Sequence, residues 1–357
     1  MTSGSAKILI LAAALLSAAQ AGAGGFCGDF QLLTSADIMA MDSSAAPAPE
    51  AGRAAAVTSG CSASKVFNFG GAYFRKLVTR ESAKITGIRA EGTLPVIVYD
   101  QERYYTAPGG MEFQTGPLDR PSVYMGASSP SNELDCGLTT DRVYTSSGMA
   151  VLVSSAAARF TLDRVSGALY GADGVKLASG MAVAAKITEL GLKPETAFRP
   201  FWRTTGMGEP AWHNPAVGAA DNLYFYPGEK IKMAVNYLGG GNFRLEISAE
   251  GRAFSVTFAQ KGFDRKRSFK RINSIDQFRV ADGARVGNEN RDVIPTGTRV
   301  TGAAWTGTEV LSGAKAAAFT GDSCVEQRGR DTAGRYADIF RVSGWTDKGG
   351  ESLDIIP

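Results

Sequence analysis

Glu133 and Asp135 stand two apart in the segment Asn132-Glu133-Leu134-Asp135-Cys136-Gly137-Leu138. On a strand, that spacing puts both carboxylates on one face. A pair of acids on one face does acid–base chemistry when their surroundings push their pKa values apart. These two residues are the candidates for a catalytic base, and equally for polar contacts to a ligand. A bland alternative is a strand edge whose carboxylates are solvated or pair with a loop.

Phe198-Arg199-Pro200-Phe201-Trp202-Arg203 and the following Trp212-His213-Asn214-Pro215 bring aromatic rings and guanidinium groups together. Aromatic faces beside arginines make platforms for sugars or peptides. Trp202 and Arg203 are therefore candidate ligand contacts. Phe198, Pro200 and Trp202 would also share one strand face, so core packing is the competing reading. His213 is the only histidine in the chain. A Ser-His-Asp or Cys-His mechanism would have to use it, and a structural role is the simpler reading.

The basic run Lys261-Gly262-Phe263-Asp264-Arg265-Lys266-Arg267-Ser268-Phe269-Lys270-Arg271 reads mainly as a solvated strand connection, with attraction to an acidic polymer or a membrane surface as the alternative. Asn288, Asn290 and Asp292 alternate oxygen-bearing side chains and are weak calcium candidates, without the glycine and terminal glutamate of an EF-hand loop. Four scattered cysteines and one histidine form no transition-metal ligand set. No metal and no cofactor are assigned.

The elements that must carry these residues are strands. Short runs alternate apolar and polar residues: Val66-Phe67-Asn68-Phe69, Pro95–Tyr99, Leu223–Tyr226, Lys230–Val235, Phe243–Ile247, Ala253–Phe258 and Thr298–Ala303. Period-two runs broken by turn residues argue for an all-β sandwich or barrel. Tyr226-Pro227-Gly228-Glu229 and Gly239-Gly240-Gly241-Asn242 are turn signals. Phe160–Leu177 reads as a hairpin turning at Ala172-Asp173-Gly174. Gly180–Leu190, stopped by Gly191, reads as the one good helix.

The first residues have the pattern of an export signal. Lys7 precedes the apolar run Ile8–Leu16, and Ala19-Gln20-Ala21 offers a cleavage site. The run is shorter than the ~20 residues of a membrane span. The expected organisation is a signal peptide over 1–21, a low-complexity linker or pro-like segment over 22–64, and a sandwich domain over 65–357. The linker is rich in Ala, Ser, Gly and Pro, with a short helix at Ser35–Met41. After cleavage no transmembrane segment is expected, and the location is secreted, periplasmic or cell-surface. Export fits an even set of cysteines, Cys27, Cys61, Cys136 and Cys324. Of three possible pairings the expected one is Cys27–Cys61 with Cys136–Cys324. The formal charge of +3 is too small to argue for nucleic acid.

The E-x-D of Glu133 and Asp135 is similar to the start of the laminarinase-type glycosidase pattern. That pattern continues to a further glutamate, and Gly137 and Leu138 stand there instead. A longer series resembles the glutamic peptidases (eqolisins) and their bacterial relatives. It comprises Tyr124-Met125-Gly126, Leu134-Asp135-Cys136-Gly137, Phe201-Trp202, Tyr226-Pro227-Gly228-Glu229-Lys230-Ile231-Lys232-Met233, the hairpin Phe243–Phe258, and Phe269-Lys270-Arg271-Ile272-Asn273-Ser274-Ile275-Asp276. The resemblance covers residues 120–310 with gaps. It implies a concanavalin-like sandwich (jelly roll) of two antiparallel sheets with a concave binding face. It also implies a glutamine–glutamate dyad, in which the glutamate activates water. The glutamine's place falls on Asp135, and the glutamate's at or beside Arg271. An arginine stays protonated and cannot be a general base. Gln114, in Phe113-Gln114-Thr115-Gly116, precedes the Tyr124 strand and is out of order for the dyad.

The resulting expectation is an exported β-sandwich that binds an extended saccharide or peptide on its concave face without hydrolysing it. Asp135, Glu133, Trp202, Arg203 and Arg271 would line the groove, with Asp135 and Arg271 paired across it. The alternatives are an eqolisin-like or other hydrolase with an altered catalytic set, and a structural cell-surface protein.

Overall fold

Alternation of residue type in Lys230–Gly239 and Asn242–Ala249 becomes alternation of burial. Ile231, Met233 and Val235 on one strand, and Phe243, Leu245 and Ile247 on the next, point inward while most of their neighbours face out. This pattern runs through the computed structural model, which describes residues 61–67, 72–107, 115–130, 132–204, 211–216, 223–287, 293–329 and 339–357. The expected signal segment, the linker up to residue 60, the Ser35–Met41 helix, Cys27, Gln114 and the calcium candidates Asn288, Asn290 and Asp292 lie outside the described residues.

The front sheet has the spatial order β1 (Cys61–Phe67), β23 (Gly321–Gly329), β2 (Ala72–Thr79), β19 (Ser268–Ala281), β7 (Asp119–Ser128), β8 (Glu133–Arg142), β14 (Thr196–Thr204) and β15 (Ala211–His213), and β20 (Ala284–Gly287) pairs with β19. The back sheet runs β18 (Arg252–Ala259), β17 (Asn242–Ala249), β16 (Lys230–Gly239), β3 (Gly87–Thr93), β21 (Arg299–Ser312), β25 (Glu351–Ile355) and β24 (Phe340–Ser343). Two further strands, β4 (Val96–Val98) and β22 (Lys315–Ala318), pair with β21. Neighbours in both sheets are antiparallel except β1 and β23. A smaller sheet has the order β12 (Lys176–Ser179), β11 (Ala168–Tyr170), β10 (Arg159–Asp163), β9 (Ala150–Val153) and β13 (Lys193–Pro194). It shares a small core with Val183 of helix α1 (Ala182–Glu189). The short pair β5 (Tyr104–Tyr105) and β6 (Gly116–Pro117) completes the set. The fold is an all-β sandwich of two mainly antiparallel sheets, with a minor helix.

The main core fills the space between the sheets. Met125, Leu134, Cys136, Leu138 and Phe269 of the front sheet share it with Met233, Val235, Phe243 and Leu245 of the back sheet. An ion network lies between the sheets as well. Arg75 on β2 holds Glu326 on β23 at 2.6 Å and Glu351 on β25 at 2.5 Å, and Arg271 on β19 also pairs with Glu351. Arg328 joins through Glu326 at 2.7 Å. Each carboxylate is shared by two arginines, which offsets the cost of removing these charges from water.

Three local expectations are corrected. The segment Phe160–Leu177 makes two turns rather than one, because β10 pairs with β11 and β11 in turn pairs with β12. The sheet begins at Cys61, inside the stretch read as linker, because β1 pairs along β23. Cys324 bonds to Cys61 instead of Cys136: the two Cα atoms lie 5.1 Å apart, where β1 meets β23. Cys136 carries no disulfide and is buried in the main core, where burial pushes its thiol pKa well above the ordinary value. Among the described residues, no helix is long and apolar enough to cross a membrane, which says nothing of a β-barrel.

Candidate functional site

On β8, residues 134, 136 and 138 enter the core, so Glu133, Asp135, Thr139 and Asp141 take the opposite, outer face. The expectation that Glu133 and Asp135 share a face holds. On β19 the inward residues include Phe269 and Arg271, which leaves Lys270, Ser274 and Asp276 outward. Between these strands lies β7, with Arg120, Ser122, Tyr124 and Gly126 outward. The register aligns Lys270, Gly126 and Asp135 in one row across three strands.

Lys270 uses that alignment. Its side chain passes over Gly126 and its Nζ lies 2.7 Å from Asp135 Oδ1 while also donating to Glu133. A Cβ on residue 126 would stand 2.9 Å from Lys270 Cε and 1.8 Å from the Leu134 carbonyl oxygen. Glycine is therefore what opens the path. Ser128 donates to Glu133 at 2.8 Å. Burial opposes the charge on Lys270, but Asp135 and Glu133 outweigh it and hold the pKa above the ordinary lysine value. Lys76 on β2 approaches the same group, and burial, with repulsion from Lys270, lowers its pKa against the pull of Glu133 and Asp135.

Further along the face, Ser122 donates to Asp276 at 3.0 Å and Ser274 does so at 3.3 Å. Burial raises the Asp276 carboxyl to about 6 against these hydrogen bonds. Tyr124 lies in the row between Asp135 and the serines, packed across Gly137, where a Cβ would stand 2.6 Å from Tyr124 Cα. Burial, then the charges of Asp135 and Asp276, raise its phenol well above the ordinary value.

Two of the expected groove residues sit elsewhere. Arg271 is one residue from Lys270, so strand alternation turns it inward to Glu351, Thr308 and the Gly349 carbonyl. Burial, against the pull of Glu351 and with repulsion from Arg75, pushes Arg271 down to about 10. The expected Asp135–Arg271 pair is therefore replaced by Asp135–Lys270. Trp202 is the register partner of Cys136 and faces the same core, stacking near Phe254, Phe258 and His213. Arg203, one residue on, is the register partner of Asp135 and is buried on the outer face. His213 is exposed on edge strand β15.

At the other end of the outer face, Asp141 binds Arg199 at 3.1 Å and Arg120 at 3.5 Å. These arginines outweigh the effect of burial and hold the Asp141 carboxyl below its ordinary value. They border a cavity of about 510 Å³. Lys270, Asp276, Arg120 and Arg199 are site residues that reading the sequence for motifs did not single out. The signal was present in the period-two series Lys270, Ile272, Ser274, Asp276 and in Arg199 and Arg203 at the same phase.

No family model matches the chain, and no curated protein matches it. Among solved structures it is similar to scytalido-glutamic peptidase with a transition state analog inhibitor, at 9% identity and a TM-score of 0.41, covering 80% of this chain and 98% of that one. It is also similar to SCP-B, a member of the eqolisin family of peptidases in complex with the tripeptide Ala-Ile-His, at 9% identity and a TM-score of 0.35, covering 80% and 98%. The alginate lyase from Klebsiella pneumoniae matches at 8% identity and a TM-score of 0.27, covering 72% of this chain and 68% of that one. At these scores the likeness assigns no role to any residue, and the site is argued from its own geometry.

Proposed function

We propose that the protein is an exported β-sandwich whose outer front-sheet face binds an extended saccharide or peptide without hydrolysing it. The observation that carries this reading is the clamp of one lysine on both members of the E-x-D pair. A general base needs a lone pair directed at its water. Lys270 takes up the facing oxygens of Glu133 and Asp135, which ties the pair into one ion triad rather than leaving two acids with separate tasks. Arg203 and Tyr124 stand beside the triad on the same face. The apolar run at Ile8–Leu16 and the Cys61–Cys324 bond support export.

Asp276 favours a second reading, a hydrolase with an altered catalytic set. Its carboxyl, raised to about 6, is suited to proton transfer near neutral pH. One experiment separates the two. Casein and a panel of polysaccharides are offered to the wild type, Asp135→Asn and Asp276→Asn at acid and neutral pH, with binding followed by affinity electrophoresis. Retardation without turnover is expected. Turnover by the wild type that Asp276→Asn abolishes would overturn the binding-only reading.

A further inference from the structure

Five arginines and two aspartates line the 510 Å³ cavity at the Asp141 end of the outer face. Arg120, Arg142 and Arg199 rise from the central strands β7, β8 and β14, while Arg285 comes from β20 and Arg164 from the turn after β10. Asp119, one of the two acids, is already held by Arg103 at 2.9 Å and by Thr298 at 2.6 Å. Asp141, the other, is shared between Arg120 and Arg199. The balance in the cavity is strongly positive. Burial, with repulsion from Arg120 and Arg142 against the pull of Asp141, pushes Arg285 down to about 9.

We propose that this cavity takes the carboxylate or sulfate groups of an acidic saccharide. The guanidinium fork matches planar oxyanions through paired, charge-assisted hydrogen bonds. The arginines are anchored by the protein: Arg120 donates to the Thr140 carbonyl at 2.9 Å, Arg142 to Thr115 and Arg199 to Pro215. Anchored donors lose little freedom when they meet a ligand. Tyr99, Tyr144 and Trp212 supply ring surface to the same walls. The volume falls within the ~300–1,000 Å³ of small-ligand sites. A second cavity of about 670 Å³ shares Tyr99, Pro117, Pro194 and Thr196 with the first; Arg159 there is paired with Glu195 at 2.5 Å, and Lys193 continues the positive lining.

A saccharide fits this lining better than an acidic peptide. Peptides laid on sheets draw affinity from main-chain bonds to an open strand edge. Here the β7–β8 ladder ends at Ser122–Thr139, and the Thr140 carbonyl just beyond it is already taken by Arg120, so the cavity offers side chains and rings instead. The inference rests on the outer face being a ligand groove, and it assigns that groove a ligand class.

The test is calorimetric titration of the full chain with tetragalacturonate, its methyl ester, a sulfated oligogalactan, a neutral β-glucan oligosaccharide and poly-L-glutamate. Tetragalacturonate or the sulfated oligomer is expected to bind at least about a hundredfold tighter than the ester or the neutral sugar. Which of the two binds identifies the source of the oxyanion. Raised salt weakens the interaction. Arg142→Gln should lower affinity at least about tenfold. Arg164→Gln alters an exposed rim cation and so leaves the fold unchanged, and a several-fold loss is expected there too. Equal binding of ester and acid would overturn the anion assignment while leaving the groove in place. Preference for poly-L-glutamate would overturn the saccharide assignment. Absence of binding to every probe would overturn both this inference and the groove reading beneath it.

Discussion

Lys270 and Asp135 meet across the full width of β7, with Nζ 2.7 Å from Oδ1 and both groups buried. The contact spans 135 positions of sequence, and three strands must be in register before it exists. It joins the two halves of the front sheet by charge in a place where backbone hydrogen bonds already join them. What it adds is a fixed electrostatic pattern on the outer face, with two carboxylates bridged by one cation and Arg203 alongside.

Removing that cation should therefore cost more than removing the whole group. Lys270→Met leaves Glu133 and Asp135 buried without their counter-charge, and breaking a buried pair from one side costs about 3–5 kcal/mol. The triple variant Lys270→Met, Glu133→Gln, Asp135→Asn should recover most of the loss. Lysine held above its ordinary pKa stabilises the fold wherever the unfolded lysine is also charged, and this stability is lost only as pH rises through the folded value. The wild-type contribution thus persists through neutral pH. Urea unfolding of the wild type, Lys270→Met and the triple variant at pH 7 measures it.

Gly126 is the steric condition for the same contact. In Gly126→Ala the new methyl would meet the Leu134 carbonyl at 1.8 Å, which the strand backbone cannot avoid without shifting. Overpacking of this kind costs about 1–3 kcal/mol. The melting temperature should fall, although Ala is the better residue for a strand on conformational entropy alone. An unchanged melting temperature would mean that β7 and β8 lie further apart than described.

The fold class was legible because period-two alternation in β16, β17 and β18 reports burial directly, and turns such as Tyr226–Glu229 carry their own chemistry. The helix at Ala182–Glu189 was legible for the same reason, with Gly191 at φ +59° just beyond it. The site was half legible. Glu133 and Asp135 share a face by local geometry alone. Their partner depends on the phase of β19, and an assignment displaced by one residue selects Arg271 in place of Lys270 and turns the pair inside out. The same parity error placed Trp202 in the groove. The Arg120, Arg142, Arg199 and Arg285 cluster joins strands far apart in sequence, and no single segment carries its pattern. The disulfide partner of Cys61 depends on the parallel pairing of β1 with β23, the one parallel pair in the front sheet.

That disulfide closes a loop with a sequence separation of 263 residues. Loss of a native disulfide costs about 2–5 kcal/mol, in large part through the freedom regained by the unfolded chain. Cys324→Ser should lower the midpoint of urea unfolding, and reductant should lower the wild type to a similar level. Cys136 provides an internal control. Its thiol, fully buried and raised in pKa, should resist a thiol reagent until the protein unfolds.

Asp276 gives a signature of opposite sign to that of the usual paired carboxylate. Its folded pKa of about 6 lies above the ordinary aspartate value of 3.8. Between those values the native state keeps a proton that the unfolded chain releases. Stability must then fall as pH rises from about 4 to about 6, and level off above. Asp276→Asn keeps the shape and removes the titration, so its stability profile should lose this descending segment. The variant should gain on the wild type as pH increases through 6. Urea midpoints for both proteins at half-unit steps from pH 4 to pH 7 measure the difference. Parallel profiles would place the Asp276 carboxylate in a better-solvated setting than Ser122 and Ser274 provide, and would remove the observation on which the hydrolase reading depends.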